Sequence, residues 1–215
     1  VGGTQNITIS GFGTPKAALF IMTFGLTDNT VAVNASFNIG ATDGTRNWCL
    51  STISRNATAS TSNRARGLST RCIASHGVTG ISSKEASFSA WITDGVRITW
   101  NTNTINTGYL LTVVLFGGAD LTARAYTISL GTSTSAQTYS SLAAEPDLVI
   151  GACQGGTNNN TIRNLHDITF GLCHNDKAGT VTQRCIAQAE INGGTDGVPI
   201  SWMDDDKFLM QIDTA

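Results

Sequence analysis

Gly108-Tyr109-Leu110-Leu111-Thr112-Val113-Val114-Leu115-Phe116-Gly117 contains the longest apolar run of the chain, eight residues between two glycines. It is far shorter than the roughly 20 residues that span a bilayer as a helix. Its β-branched and aromatic content, stopped by glycine at both ends, reads as a buried strand. Comparable runs recur on both sides of it. They cover residues 6–10, 17–24, 32–39, 48–53, 68–75, 87–91, 97–101 and 124–130, then 148–152, 167–172, 181–189, 198–202 and 208–212. Gly, Asn, Asp and Ser separate them, the residues that accept turn conformations. Asp94-Gly95 between two runs predicts a tight hairpin, and the one expected helical turn covers residues 140–144. The fold class expected is all-β.

Composition supports this reading and narrows the function. Charged residues make up 13% of the 215, against about 25% in an ordinary soluble domain, and Thr, Ser, Asn and 23 Gly fill the difference. A net charge of −2 leaves no basic stripe to neutralise phosphates, so nucleic acid is not an expected partner. No membrane partner is expected either. The chain begins Val1-Gly2-Gly3-Thr4-Gln5, without an initiator Met or a signal-peptide pattern, and is expected to be a piece of something longer.

The strands are written twice. At an offset of 131, Pro15 falls on Pro146, Gly25 on Gly156, Asn29-Thr30 on Asn160-Thr161, and Phe37-Asn38-Ile39-Gly40 on Ile168-Thr169-Phe170-Gly171. Two later landmarks need a smaller offset: Arg71-Cys72-Ile73-Ala74 with Arg184-Cys185-Ile186-Ala187, and Trp91 with Trp202. The polar tract 55–66 is expected to absorb the difference. Internal repetition of this length implies two copies of one supersecondary unit. The expectation is two tandem antiparallel β-sandwich, jelly-roll-like repeats, 1–131 and 132–215. The second copy lacks its last strand, the counterpart of 109–116. Such a gap exposes an edge and an apolar face. The expectation is that the native protein continues beyond Ala215; the alternative is that another strand fills the slot, with residues 1–10, from the same chain or a neighbour, as one candidate.

Candidate chemistry is sparse. Of the five cysteines, only Cys72 and Cys185 correspond between copies, so buried free thiols are expected, with a Cys153–Cys173 bridge as the alternative. His166, Cys173, His174 and Cys185 are zinc-ligand types, but without a recognised spacing, and adjacent residues on a strand point to opposite faces. His76 lies in a glycine-flanked turn and reads as solvated. Asp43, Asp94, Asp120 and Asp167 sit beside turn residues, where an Asp ordinarily caps. Asp204-Asp205-Asp206 reads as a solvated turn. The glycine-rich stretch 151–156 leads into no Lys-Ser/Thr and no helix, so it is not a phosphate loop. No enzyme activity, metal or cofactor is expected. A sugar site is the remaining possibility, built from an exposed aromatic and nearby amides. Trp91 and Trp202, as repeat landmarks, read as core anchors. Trp100, with Asn101 and Asn103, is therefore the candidate for contact with a host-surface glycan.

Thr14-Pro15-Lys16-Ala17-Ala18-Leu19-Phe20-Ile21-Met22-Thr23-Phe24-Gly25, Asn34-Ala35-Ser36-Phe37-Asn38-Ile39-Gly40 and Arg71-Cys72-Ile73-Ala74 together resemble a group of duplicated β proteins of tailed bacteriophages. So do Trp91-Ile92-Thr93-Asp94-Gly95-Val96 and Val113-Val114-Leu115-Phe116-Gly117-Gly118. The chain departs from that group at Ile21-Met22, where aromatics are usual, and in the missing last strand. The resemblance implies a structural virion protein, decorating the capsid or attached to the tail and made in the bacterial cytoplasm. Its partners would be other virion proteins and copies of itself. The alternative is a carbohydrate-binding adhesin or receptor-binding module.

Overall fold

The computed structural model describes residues 2–23, 34–55, 63–77, 82–104, 109–128, 145–154, 166–190 and 199–210. Among these there is no helix. Thirteen strands form three antiparallel sheets. The first sheet runs in the order β1 (Thr4–Thr8), β8 (Gly95–Asn103), β7 (Ser82–Ile92), β6 (Ile73–His76). The central sheet is β5 (Arg64–Leu68), β4 (Asn47–Arg55), β3 (Asn34–Thr42), β2 (Pro15–Thr23), β9 (Leu110–Gly117). The third is β10 (Leu148–Cys153), β11 (His166–Asn175), β12 (Val181–Glu190), β13 (Pro199–Asp204). Neighbouring strands are mostly consecutive in the chain, so the sheets are meanders rather than the alternating crossings of a jelly roll.

Side chains on a strand alternate between faces, and β2 uses both. Ala18, Phe20 and Met22 face the first sheet and pack with Ile73, Ala86, Val96, Ile98 and Leu115 in one core. Leu19 and Ile21 face the other way. With Phe37, Ile39 and Leu50 they pack against Ile168, Phe170 and Ala152 of the third sheet. The central sheet is thus covered on both faces, and the run 109–116 is its β9, paired with β2. Burying side chains such as Phe20, Ile39 and Ile98 stabilises the stack by about 1.5–3 kcal/mol each.

The meander β2–β5 and the meander β10–β13 pair in the same register. Phe20 opposite Gly40 recurs as Gly151 opposite Gly171, 131 residues on. Gly40 opposite Cys49 and Cys49 opposite Leu68 recur as Gly171 opposite Cys185 and Cys185 opposite Asp204. Cys185 therefore takes the place of Cys49, not of Cys72, and Trp202 that of Arg66, not of Trp91. The added residues of the second meander lie in the β11–β12 hairpin, not in the polar tract. Two glycines mark the shared geometry. A Cβ at Gly40 would lie 2.2 Å from the Cys72 carbonyl oxygen, and one at Gly171 would lie 1.7 Å from that of Phe208. In each meander the chain leaving its fourth strand crosses over the glycine of its second.

Other expectations also change. The run 68–75 is broken, since β5 ends at Leu68 and the chain crosses to the first sheet before β6 begins at Ile73. Residues 124–128 form no strand; they are held at the Ala125 amide by Asp43 Oδ2, 2.9 Å away. The N-terminal residues 4–8 do not complete the second meander but pair with β8 of their own unit. The Asp94 hairpin is as expected, with Asp94 at φ 62° and its Oδ1 accepting the Gly13 amide at 2.7 Å. The expected helical turn at 140–144 and the boundary at 131/132 lie outside the described residues.

The close approach at Gly40 makes a prediction. Gly40→Ala should lower the unfolding free energy in urea by about 2–3 kcal/mol, as overpacking against backbone does. Gly3→Ala, with open space around it, should change it by less than about 0.5 kcal/mol.

Candidate functional site

Trp100 is half-buried against the first core, and its Nε1 donates to Gln5 Oε1 at 3.0 Å. Lys84 Nζ lies 5.8 Å from its ring centre and donates to Asn103 Oδ1 at 2.7 Å. Trp100 and Asn103 are thus brought together through Lys84. Asn101 is engaged elsewhere, its Oδ1 accepting the Ser87 hydroxyl at 2.8 Å. The tryptophan that does stand in solvent is Trp202, 57% exposed, against the expectation of a core anchor. Trp91 is half-buried beside Phe88, ring centres 4.7 Å apart.

His76 is not solvated. It is 2% exposed between the two sandwiched sheets, and its Nδ1 is hydrogen-bonded to Ser51 Oγ at 2.9 Å. Ser51 is 1% exposed, so no substrate reaches this pair. Beside it Glu85 is clamped by Arg66 and Arg71, each at 3.2 Å, which ties β7 to β5 and to the crossing segment. Burial, and next the Arg66 guanidinium, push the His76 pKa down to about 4.

All five cysteines are free. Cys153 sits opposite Thr169 and Cys173 opposite Val149. That four-residue stagger separates the two by roughly 13 Å along the strands, too far for the bridge held as the alternative. Burial pushes the Cys72 thiol up to about 12 and also holds the Cys49 thiol well above its ordinary value. Asp204–Asp206 is a surface turn in which the Asp206 amide donates to Asp204 Oδ1. Asp43 is a brace: its carboxylate accepts the amides of Thr45, Arg46 and Ala125. Among the described residues no group of three or more His, Cys, Asp or Glu is arranged to hold a metal, and no helix is long and apolar enough to cross a membrane.

The feature that sequence reasoning missed is a surface. Ile168 and Phe170 dock the third sheet on the central one, and on the same face cross-strand pairing aligns Phe170 with Ile186 and Ile186 with Met203. Ile186 is 57% and Met203 76% exposed, and Leu148 and Leu172 on that face are exposed as well. The apolar strip therefore starts inside the sheet-to-sheet contact and runs out of it into solvent. The partly matching alternation in 181–189 and 199–204 could have signalled two-faced strands, but it carries no information on which face is covered.

No family model, curated protein or solved structure matches the chain.

The buried histidine predicts a pH response. Its folded pKa lies below the ordinary value near 6.5, so the unfolded chain takes up the proton first. The associated stability is complete above about pH 6.5 and is lost as pH falls toward 4, up to about 3 kcal/mol. Urea titrations from pH 7 to pH 4 should show this slope, and His76→Asn should flatten it. Asp43, held below the ordinary carboxylate value by its amides against the opposing effect of burial, acts in a lower window, below about pH 4.

Proposed function

We propose that this chain is a structural, non-catalytic component of a tailed-phage virion that assembles with copies of itself and with other virion proteins. The single observation that carries the reading is the apolar strip of Leu148, Leu172, Ile186 and Met203, continuous with a contact the molecule already makes between its two meanders.

That internal contact supports a like-with-like mode of assembly. Phe37, Ile39 and Ile21 of the first meander correspond to Ile168, Phe170 and Ala152 of the second in the shared register, and all six enter one cluster. Equivalent positions meeting one another is the pattern of an isologous contact, in which one surface is self-complementary. The chain is accordingly read as a tandem duplication, with a first β-sandwich over 1–131 and a second copy over 132–215. The shared unit is the four-stranded meander. Among the described residues the second copy has no counterpart of β6–β9. Low surface charge fits permanent neighbours, because few ions have to be desolvated when such faces meet. A virion location, after synthesis in a bacterial cytoplasm, follows from the motif resemblance. The exposed apolar strip is what supports the assembly mode.

Sedimentation equilibrium of the purified chain should show self-association. Ile186→Asp and Met203→Asp should each weaken it at least tenfold while leaving the unfolding free energy within about 0.5 kcal/mol, since both side chains are exposed in the single chain. A wild-type chain that stays monomeric at every concentration would remove the self-assembly reading. Absence of the chain from purified particles in stoichiometric amounts would remove the virion reading.

A further inference from the structure

A second surface, apart from the apolar strip, has the features of a small-molecule site. Beside the β3–β4 turn lies a cleft of about 480 Å³, between the start of β4, the crossing segment 69–70 and the segment 125–127. Its size falls in the range of ordinary ligand pockets. Trp48 and Tyr126 line it with aromatic surface; Asn47, Ser69 and Thr70 line it with amide and hydroxyl groups; Arg46 supplies a charge. Among the described residues that line it there is no carboxylate.

The walls are fixed by bonds to neighbouring segments, and the Thr70 hydroxyl also accepts from the Arg71 guanidinium at 3.4 Å. Asp43 Oδ1 accepts the amides of Thr45 and Arg46 on one side, and its Oδ2 accepts that of Ala125 on the other, which ties the two walls together. Asn47 Oδ1 accepts the Phe88 amide, and the Thr70 carbonyl accepts the Ser87 hydroxyl. Trp48 also packs in the cluster between the central and third sheets, so its ring is held in place. Such a cleft is organised before a ligand arrives, which reduces the ordering cost of binding. The Arg46 guanidinium lies 4.6 Å from the Tyr126 ring centre, and its side chain is half exposed. A stacked, planar fork of this kind is the donor suited to a carboxylate.

We propose that this cleft binds a saccharide bearing a carboxylate, with sugar faces against Trp48 and Tyr126, hydroxyls toward Asn47 and Thr70, and the acid group on Arg46. The class follows from the mixture. Aromatic faces and neutral hydrogen-bonding groups suit a sugar ring, and one guanidinium without a lining acid selects for an anionic substituent. Asp43 stands 3.9 Å from Arg46, but its oxygens are already held by three backbone amides.

Calorimetric titration with trigalacturonate and sialyllactose, against neutral maltotriose, tests the proposal. At least one acidic sugar should bind, with maltotriose at least tenfold weaker. Arg46→Gln, a change at a half-exposed side chain, should abolish that preference; Tyr126→Ala should weaken binding at least tenfold; Trp100→Ala should leave it unchanged. Binding that is equal for neutral and acidic sugars and indifferent to Arg46→Gln would overturn the assignment of the acid group. Failure of all three sugars at millimolar concentration, or acidic-sugar binding that survives both Arg46→Gln and Tyr126→Ala, would overturn the site. None of these outcomes depends on the oligomeric state.

Discussion

Burial of the central sheet on both faces is the constraint to which the other layers answer. A strand covered on one side can alternate apolar with polar residues; a strand covered on both sides cannot. β2 meets that demand with Ala18, Phe20 and Met22 on one face and Leu19 and Ile21 on the other. β3 meets it less evenly. Phe37, Ile39 and Ala41 face the third sheet, while Asn38, Gly40 and Thr42 face the first. The polar choices on β3 continue sideways in Ser51 of β4, paired with Asn38, and are met across the sandwich by His76 of β6. The sandwich is therefore apolar around β2 and β9 and polar where β3 and β4 face β6. Such a polar end costs desolvation, and hydrogen bonds such as Ser51–His76 offset it. Its hydrogen-bonding demands also restrict which register the two sheets can adopt.

Much of the strand content was legible, because β-branched runs between turn residues are a local signal. The 131-residue repeat was legible as far as the first hairpin, and the register of β10–β11 agrees with it. Beyond that hairpin the sequence misleads for a physical reason. The tetrapeptide Arg-Cys-Ile-Ala suits many strands, because alternation specifies a pleated surface and not the sheet it joins. At 71–74 it leads from the crossing into β6; at 184–187 it lies in the middle of β12. Only pairing partners separate the two, and those are not local. The break between β5 and β6 was hidden for the same reason: the composition of residues 68–75 stays strand-like across the bends at 69, 70 and 72 through which the chain changes sheets.

Side-chain exposure was the least legible property. Trp100 and Trp202 are both flanked by strand residues, and nothing local distinguishes a ring that packs beside Lys84 and Gln5 from one that stands in solvent. Tyr126 illustrates the converse. It lies in a stretch that reads as a strand, and it becomes a cleft wall only because Asp43, far away in sequence, holds the neighbouring Ala125 amide. The glycine pair is an instructive contrast. Gly40 and Gly171 were visible as repeat landmarks, yet their role, making room for a carbonyl from a crossing segment, needed the third dimension.

The pairing of β2 with β9 also sets an order of assembly. Each hairpin of the two meanders closes between neighbours in the chain, a small loss of loop entropy. Phe20 and Val113, and likewise Ile7 and Val96, meet only after nearly the whole first unit lies between them. During synthesis the free edge of β2 must therefore wait until residue 117 has left the ribosome, after β6, β7 and β8 of the first sheet have emerged. Contacts of that separation form slowly, and the waiting edge is a strand whose two faces are both apolar. The nascent first unit is thus most vulnerable to mispairing in the interval between the emergence of β2 and that of β9, whereas the pairing of the second meander can proceed from one hairpin to the next.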